Sequence, residues 1–338
     1  IHQYNVTVTR EITRNLMVEV SYVGSQTRAI AVSRNINAIS AENLARGSAY
    51  LQAAVTNPFA GLLPGTTRNG STIQRQELLR PFPQFGDITQ NALSIGTSWY
   101  NSLQVIVQKR VSHGLTFTSS YTYSRSMERT SFLNSQDTDP ITQVTDYDRP
   151  HIWVFSGVYE LPFGKGRRIG GAATGLLDHL IGGWQVNWNF NWQSGRPLGQ
   201  PGGLEPIAGK SAKLDKPTPD RWFNTCYADL NGALQKCLAG ENPVWYQRPI
   251  FTLRTTPNRF SDIRVPWKPT LDASLFKRLS LPRKLRLELR IEAFNLMNTD
   301  ILPGPNTTYN DSNFGRIPTP RGSVYFPRNV QLGMKLFF

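Results

Sequence analysis

The chain alternates strictly between large apolar residues and amides from Trp184 to Gln193. Trp, Val or Phe occupies every even position, and Gln or Asn occupies every odd one. Successive side chains of a β-strand point to opposite faces, so a strand with this sequence has one apolar face and one amide face. In a helix, side chains two positions apart point about 200° away from each other, and both sets would wind around the axis. The alternation therefore predicts a strand with one face in contact with apolar surroundings and the other in contact with water.

The same two-residue period recurs in later and earlier segments. Between 285 and 293, Leu, Ile and Ala alternate with Arg and Glu, and from 330 to 338 every second residue is apolar. Residues 16–22, 103–107 and 115–123 alternate more loosely and are rich in β-branched and aromatic residues, which favour strands. No run of about 20 apolar residues occurs, so no transmembrane helix is expected. The pattern predicts an all-β chain of about ten strands.

The predicted strands form hairpins with short turns, such as the turn at 112–114, separated by long segments. These segments are rich in Pro, Gly, Asn, Asp and Thr, and they cover about 25–84, 128–148, 195–266 and 298–325. Short turns that alternate with long loops are the asymmetry of outer-membrane barrels, whose long loops lie outside the cell. Only 18% of the residues are charged, below the roughly 25% of soluble domains. The sequence therefore predicts an antiparallel transmembrane β-barrel with long extracellular loops.

Several short motifs, in their order along the chain, resemble one family. They are Tyr100-Asn101-Ser102-Leu103-Gln104, Asp148-Arg149-Pro150-His151, Leu161-Pro162-Phe163-Gly164-Lys165-Gly166 and Glu292-Ala293-Phe294-Asn295-Leu296-Met297-Asn298. The resemblance is to TonB-dependent outer-membrane receptors, most closely the group with a carboxypeptidase-regulatory-like domain that is abundant in Acidobacteria. It implies a 22-stranded barrel, a plug domain, a TonB box and energy drawn from the inner membrane. Residues 1–338 would be the C-terminal segment of such a barrel, and neither a plug domain nor a TonB box is recognisable in them.

The resemblance also implies a function and partners. It predicts a non-enzymatic transport protein in the outer membrane of a Gram-negative bacterium, with an oligosaccharide, a peptide or a metal chelate as ligand. The expected partners are outer-membrane lipid and lipopolysaccharide, the barrel assembly machinery, and the plug and TonB system. Two alternatives stay open: a structural or adhesive surface module that assembles with another chain, and a soluble β-sandwich that binds or cleaves glycans.

The net charge of +14 raises the question of a nucleic-acid partner. The Lys and Arg residues are scattered along the whole chain, and no basic stripe with interleaved stacking aromatics is present. We therefore expect no nucleic-acid binding. A cationic barrel interior or mouth, or contact with anionic lipid headgroups, accounts better for the charge. Aromatic residues near the predicted strand ends, among them Tyr121, Tyr123 and Trp153, would form interfacial girdles.

The two cysteines, Cys226 and Cys237, lie in one of the long segments. In an oxidising compartment they would form a disulfide, and the alternative is a pair of unrelated free thiols. A zinc site would need more ligands than the two thiols and four dispersed histidines offer. We therefore expect a disulfide, with no metal and no cofactor.

Three further groups of residues are candidates for a role. The final residue, Phe338, with Leu336 and Met334 at every second position before it, resembles the recognition signal of the barrel assembly machinery. Two sets of residues would line the barrel interior. They would form either a hydrated or ion-paired surface or contacts to a plug or solute. The first set is charged and the second consists of amides: Arg286, Glu288, Arg290 and Glu292, and Asn187, Asn189 and Asn191.

The densest polar cluster is Asp146, Asp148, Arg149 and His151. His151 could act as a general base oriented by Asp148, but the local sequence contains no recognisable nucleophile. A cluster of polar residues that bind one another at the extracellular rim is the simpler interpretation. The carboxylates of this cluster, with two earlier aspartates at 137 and 139, could bind calcium, but they lack the EF-hand spacing. A solvated acidic loop is the favoured interpretation, and we expect no enzyme activity.

Overall fold

The computed structural model describes residues 1–282, 285–300, 302–318 and 327–338. In chain order the elements are β1 (His2–Thr13), β2 (Leu16–Asn35), α1 (Ala41–Leu44), α2 (Ser48–Gln52), β3 (Ala54–Thr56), β4 (Thr72–Gln74), α3 (Arg75–Leu78), β5 (Thr89–Ser112), β6 (Leu115–Arg129), β7 (Gln143–Val144), β8 (His151–Glu160), α4 (Leu176–Ile181), β9 (Trp184–Gln193), β10 (Pro197–Gly199), β11 (Leu204–Pro206), β12 (Tyr227–Ala228), β13 (Leu234–Gln235), β14 (Trp245–Gln247), β15 (Arg259–Arg264), β16 (Thr270–Ser280), β17 (Arg286–Phe294) and β18 (Asn329–Phe337).

Nine long strands form one antiparallel sheet, in the order β1-β2-β5-β6-β8-β9-β16-β17-β18, and the short β7 adds to β6 as a tenth member. We call the nine-strand sheet the wall. The predicted all-β antiparallel architecture of about ten strands is therefore confirmed. Among the described residues, no helix is long and apolar enough to cross a membrane.

The strand register places all the apolar stripes on one face of the wall. Tyr121 lies beside Trp153, which lies beside Trp192. Farther along the sheet, the apolar residues of β9, β16, β17 and β18 pair in the same way, as Ile291 does with Leu332. Most of this face is open in the described structure, and Leu332, for example, is 76% exposed. The β8–β9 connection covers it only near Trp184, whose indole N–H donates to the carbonyl of Leu180 at 2.9 Å. The soluble β-sandwich alternative does not hold, because a sandwich would bury such a face against a second sheet.

Because each strand pairs antiparallel with its neighbour, successive connections alternate between the two ends of the wall. The short turns after β1 and β5 lie at one end with the longer β8–β9 connection, and the long connections after β2, β6 and β9 lie at the other end, called here the long-connection end. The tight turn at His113–Gly114 is confirmed, with φ of 53° and 81°. The first long connection begins later than predicted, since β2 continues through residues 25–35, and it ends where β5 begins at Thr89. The paired strands shift register at several points here, and Ala29 has a φ of 58°. These bulges break the two-residue period, so the sequence pattern ends before the strand does.

Two other predicted boundaries fall partly outside the described residues. The final strand, predicted for 326–338, begins at Asn329, and residue 326 is not described. The turn predicted at 281–283 includes residue 283, and the loop predicted at 298–325 includes residues 301 and 319–325, all of which lie outside the described ranges.

The third long segment, predicted as a loop at 195–266, is a folded unit with six short strands, β10 to β15. Leu204, Phe223 and Trp245 in this segment are at most 1% exposed. Phe314, from the connection that precedes β18, packs its ring edge-on against Phe223 with centroids 5.3 Å apart. We call residues 195–266 together with 302–318 the cap. The apolar core of the described structure therefore lies in the cap and not in the wall.

Candidate functional site

The face of the wall opposite the apolar one carries the amide and charged residues singled out from the sequence. On β9 these are Asn187, Asn189 and Asn191. The register places Asn187 beside Ser274 of β16, and Ser274 beside Glu292 of β17. The amides and the charged residues, predicted separately, thus lie on one face with a single strand between them. A shallow groove on this face is lined by Asn187, Asn189, Asp272, Ser274, Glu292 and Phe294.

Glu288 is the centre of the charged part of this face. Its carboxylate accepts hydrogen bonds from Arg278 Nε at 3.0 Å and from Arg290 Nε at 2.7 Å. The guanidinium of Arg290 lies over the ring of Phe276, 4.9 Å from its centroid. Arg286 lies over the ring of Phe337 at 5.6 Å. The ion pairs on this face therefore meet at one buried carboxylate, and Arg278 is a partner that the sequence pattern did not single out.

The cap is held to the wall by two ion pairs from β15. Arg259 binds Glu128 of β6 at 2.5 Å and donates to the carbonyl of Val144 at 3.1 Å. Arg264 binds the fully buried Asp148 at 2.6 Å. Asp148 also accepts a hydrogen bond of 2.7 Å from the backbone N–H of Ser126 in β6. A buried pair of this kind is costly to break, because removal of one partner leaves an uncompensated charge.

The predicted cluster around His151 is divided between two environments. Asp148 is bound to Arg264 and β6, whereas the His151 ring lies on the apolar face. His151 Nδ1 shares a hydrogen bond with the hydroxyl of Tyr121 at 2.7 Å, and the ring packs near Tyr123 and Trp192. Asp148 therefore does not orient His151, and the geometry offers no support for a base at this position.

The four aspartates considered as calcium ligands each have another partner. Asp137 accepts from Asn134, and the other three pair with arginines: Asp139 with Arg129, Asp146 with Arg196 and Asp148 with Arg264. Within the described ranges, no group of three or more His, Cys, Asp or Glu residues is placed to hold a metal ion.

Inside the cap, Glu205 is a buried polar centre that the sequence did not reveal. It is 1% exposed and accepts hydrogen bonds from the hydroxyls of Thr255 and Thr256 at 3.1 and 2.9 Å. Arg248 and Arg254 lie 3.7 and 3.9 Å from its second oxygen. Burial lowers the pKa of Arg254, and the charge of Glu205 opposes that change. A single Glu in a Gly- and Pro-rich segment carries no sequence signal of such a role.

The cap also contains the disulfide. Cys226 and Cys237 are bonded to each other, as predicted. The bond closes the hairpin of β12 and β13, and the hydroxyl of Thr225 donates to the carbonyl of Lys236 beside it at 3.0 Å. Cys226 is completely buried. The disulfide therefore fixes the base of a hairpin within the cap core.

A family model described as outer membrane beta barrel domain matches residues 1–331. Three similar solved structures are the outer membrane transporter YddB from Escherichia coli (8% identity, TM-score 0.42), the pyoverdine outer membrane receptor FpvA from Pseudomonas aeruginosa (9%, 0.40) and the ferric citrate transporter FecA (12%, 0.39). The alignments cover 99% of this chain and 32%, 29% and 31% of those chains, so the chain spans about a third of their length. Among curated protein sequences, no significant match was found.

Proposed function

The chain belongs to the outer membrane beta barrel domain family, and from this premise we propose that it is the C-terminal barrel segment of an uptake transporter of the TonB-dependent-receptor kind. Its location is the bacterial outer membrane. The observation that supports the proposal is that a wall with one apolar and one polar face carries a folded cap. Arg259 and Arg264 fix the cap at the end of the wall where the long connections lie. In an outer-membrane barrel this end faces the medium, where a ligand is first met.

In this proposal the polar face of the wall lines the uptake path. The residues that would face the interior are Asn187, Asn189, Asn191, Arg286, Glu288, Arg290 and Glu292. Two cations, Arg278 and Arg290, bind the carboxylate of Glu288. Two more, Arg286 and Lys335, lie over the ring of Phe337 on the same face. This arrangement suits a plug surface or a ligand with anionic or hydroxyl groups. The proposed ligand classes are accordingly metal chelates, oligosaccharides and peptides.

The edges of the wall support a larger barrel. Within the described residues, β1 and β18 each pair with one neighbouring strand only. In lipid, an unpaired strand edge leaves backbone groups without hydrogen bonds, which costs several kcal/mol per group. We propose that further strands complete the wall to the 22 that the family resemblance implies, together with a plug and a TonB box. Membership of the carboxypeptidase-regulatory-like group is part of the same proposal.

We also propose that Phe338, Leu336 and Met334 are read by the barrel assembly machinery. All three side chains are more than half exposed, and they occupy alternate positions at the end of the last strand. The surface-module alternative shares the same open edges, which a second polypeptide could cover equally well.

An uptake assay on the full-length protein tests the transport proposal. The protein would be produced in a Gram-negative host that lacks its own receptors, and its folding would be checked by heat-modifiable migration. Cells would receive a radiolabelled ferric siderophore, a maltooligosaccharide and an oligopeptide in separate assays. We expect accumulation of one class, abolished by a protonophore. If none of the three accumulates in cells that carry the folded protein, the surface-module alternative is favoured.

A further inference from the structure

A row of arginines crosses the apolar face of the wall at its long-connection end. The β6–β8 register pairs Tyr123 with His151, and two positions farther on it brings Arg125 beside Arg149. The hydrogen bond from Ser124 N to Pro150 O, 2.8 Å long, continues this pairing. The β8–β9 register ends with Ile152 beside Gln193, and the hydrogen bond from Ser194 N to His151 O, 2.7 Å long, continues it by one position. The side chain of Arg149 reaches the carbonyl of Ser194, two residues before Arg196. We call Arg125, Arg149 and Arg196 the arginine row.

The row lies immediately beyond an aromatic belt. Tyr121, Tyr123, His151, Trp153 and Trp192 occupy the next two levels of the same face toward the middle of the wall. Aromatic residues of this kind sit where the hydrocarbon of a membrane meets its headgroups. The row therefore begins where the hydrocarbon ends.

The length of β6 places the arginine row at the same height in the membrane as the aromatic belt does. Ten residues separate Leu115, at the short-turn end of β6, from Arg125. At about 3.3 Å per residue and a tilt of about 40°, these ten residues rise roughly 25 Å, which matches the height of the apolar band of an outer-membrane barrel. The arginine row is therefore level with the outer-leaflet headgroups.

The charges in the row are only partly balanced. Arg196 lies 3.4 Å from Asp146, and Arg125 lies 3.9 Å from Asp148, whose carboxylate is already bound by Arg264 at 2.6 Å. Once Asp148 is assigned to Arg264, three guanidinium groups face one carboxylate, which leaves two positive charges. The side chains of Arg125 and Arg196 are 45% and 51% exposed, so they are accessible from outside.

Arg149, in the middle of the row, is held in place. Its Nη1 donates to the carbonyl of Ser194 at 3.3 Å, and its guanidinium lies 5.8 Å from the ring centroid of Trp267. Burial lowers the pKa of Arg149, and the like charge of Arg196 acts in the same direction. A bound anion would oppose this lowering of the pKa, as the charge of Asp146 does, because it supplies the negative charge that the row lacks.

We propose that the arginine row binds the phosphate groups of an outer-leaflet lipid headgroup. Arginine suits this task because its planar guanidinium donates two parallel hydrogen bonds to phosphate. The lipid chains would lie against the exposed aromatic belt directly below the phosphates. This binding site does not depend on the proposed uptake activity, since it requires only the outer-membrane location of the wall.

The test uses the full-length protein in detergent and lipid A with two phosphates as the probe. The variant R125Q/R196Q removes the two exposed cations and leaves Arg149 with its contacts. The matched control is K213Q/K216Q, which makes the same charge change at exposed positions of the cap. Each arginine near an anionic lipid contributes roughly a factor of five to the affinity, so we expect R125Q/R196Q to bind at least tenfold more weakly and the control to bind as the parent does.

Two further arms separate lipid from free anion. Enzymatically dephosphorylated lipid A should bind the parent at least tenfold more weakly, and inorganic phosphate at the same concentration should not displace the phosphorylated lipid. Equal binding by the parent and R125Q/R196Q, or equal binding of both lipids, would overturn the proposal. Displacement by inorganic phosphate would show a free-anion site instead and would also overturn it.

A salt titration of the unmodified protein tests the proposal even if R125Q/R196Q does not fold. Binding governed by exposed arginines and phosphates should weaken at least tenfold when sodium chloride rises from about 0.05 to 0.5 M. An affinity that does not change with salt would contradict the proposal.

Discussion

The wall and the cap belong to one chain, but the cap buries its large apolar side chains and the wall exposes them. In the cap, Phe223, Trp245 and Leu204 are buried against one another, as in a soluble domain. In the wall, apolar residues such as Leu332 and Met334 are exposed on one face, and the buried carboxylate of Glu288 is on the other. The difference shows that the two regions are matched to different solvents, water around the cap and hydrocarbon around the wall. Substitutions that distinguish the two environments test this comparison.

The largest effect is expected in the cap core. Phe223→Ala removes a ring that contacts Phe260 and Phe314, and the cavity should cost about 3–5 kcal/mol of cap stability. Protease protection of the cap in increasing urea would measure the loss, while heat-modifiable migration should show an intact wall. Leu230→Ala is the control, because Leu230 is a cap residue that is 57% exposed, and its effect should stay below about 0.5 kcal/mol. Simultaneous loss of the wall would mean that cap and wall are not separate units.

A charge on the apolar face should have the next largest effect. Ile291→Arg places a cation near the middle of the lipid-facing side and should cost about 2–4 kcal/mol of folding free energy. Asn187→Arg is the matched control. Val186 lies in the same cross-strand row as Ile291, and the next residue, Asn187, points to the opposite face of the wall. Urea titration of the protein refolded into lipid vesicles would compare them. Equal costs at the two positions would contradict the assignment of the faces.

Reduction of the disulfide should affect only the cap. The bond between Cys226 and Cys237 spans a sequence separation of 11, and loop-closure entropy predicts a stabilisation of about 2–3 kcal/mol. Dithiothreitol should therefore lower the urea concentration at which the cap becomes protease-sensitive, and it should leave the wall unchanged. The doubly substituted C226A/C237A protein should show no response to reduction. A loss of wall stability on reduction would contradict the claim that the cap and the wall are separate units of stability.

The smallest effect concerns the polar centre of the cap. Thr256→Val removes one of the two hydroxyl hydrogen bonds to the buried Glu205 and should cost about 1–2 kcal/mol. The same urea and protease assay would measure it. Thr308→Val, at an exposed cap position, should have almost no effect. A neutral Thr256→Val would show that Glu205 is stabilised without this hydroxyl.

The wall could be predicted from sequence to a greater extent than the cap. The alternation from Trp184 to Gln193 is a local property of one strand, so it predicts both the strand and its two faces. The same pattern predicts too short a strand for β2, because bulges near Ala29 interrupt the two-residue period. The disulfide was predictable because the chain contains only two cysteines.

The cap core could not be predicted because it depends on contacts between distant residues. Phe223, Phe260 and Phe314 are single apolar residues in polar surroundings, and nothing local indicates that their rings meet. The ion pair between Arg264 and Asp148 joins residues 116 positions apart. The arginine row depends on the register between strands, which a two-residue period does not specify.

The most direct test of the account measures the environment of each residue along β9. Spin labels would be attached to single cysteines introduced one at a time from 185 to 192 in the full-length protein in lipid bilayers, with the native disulfide left intact. We predict that collisions with oxygen, which dissolves in lipid, dominate at the even positions, including 188 and 190. Collisions with a water-soluble nickel complex should dominate at the odd positions, including 187 and 189. A profile without a two-residue period, or with the two sets reversed, would contradict the central claim that the wall turns its apolar face to lipid.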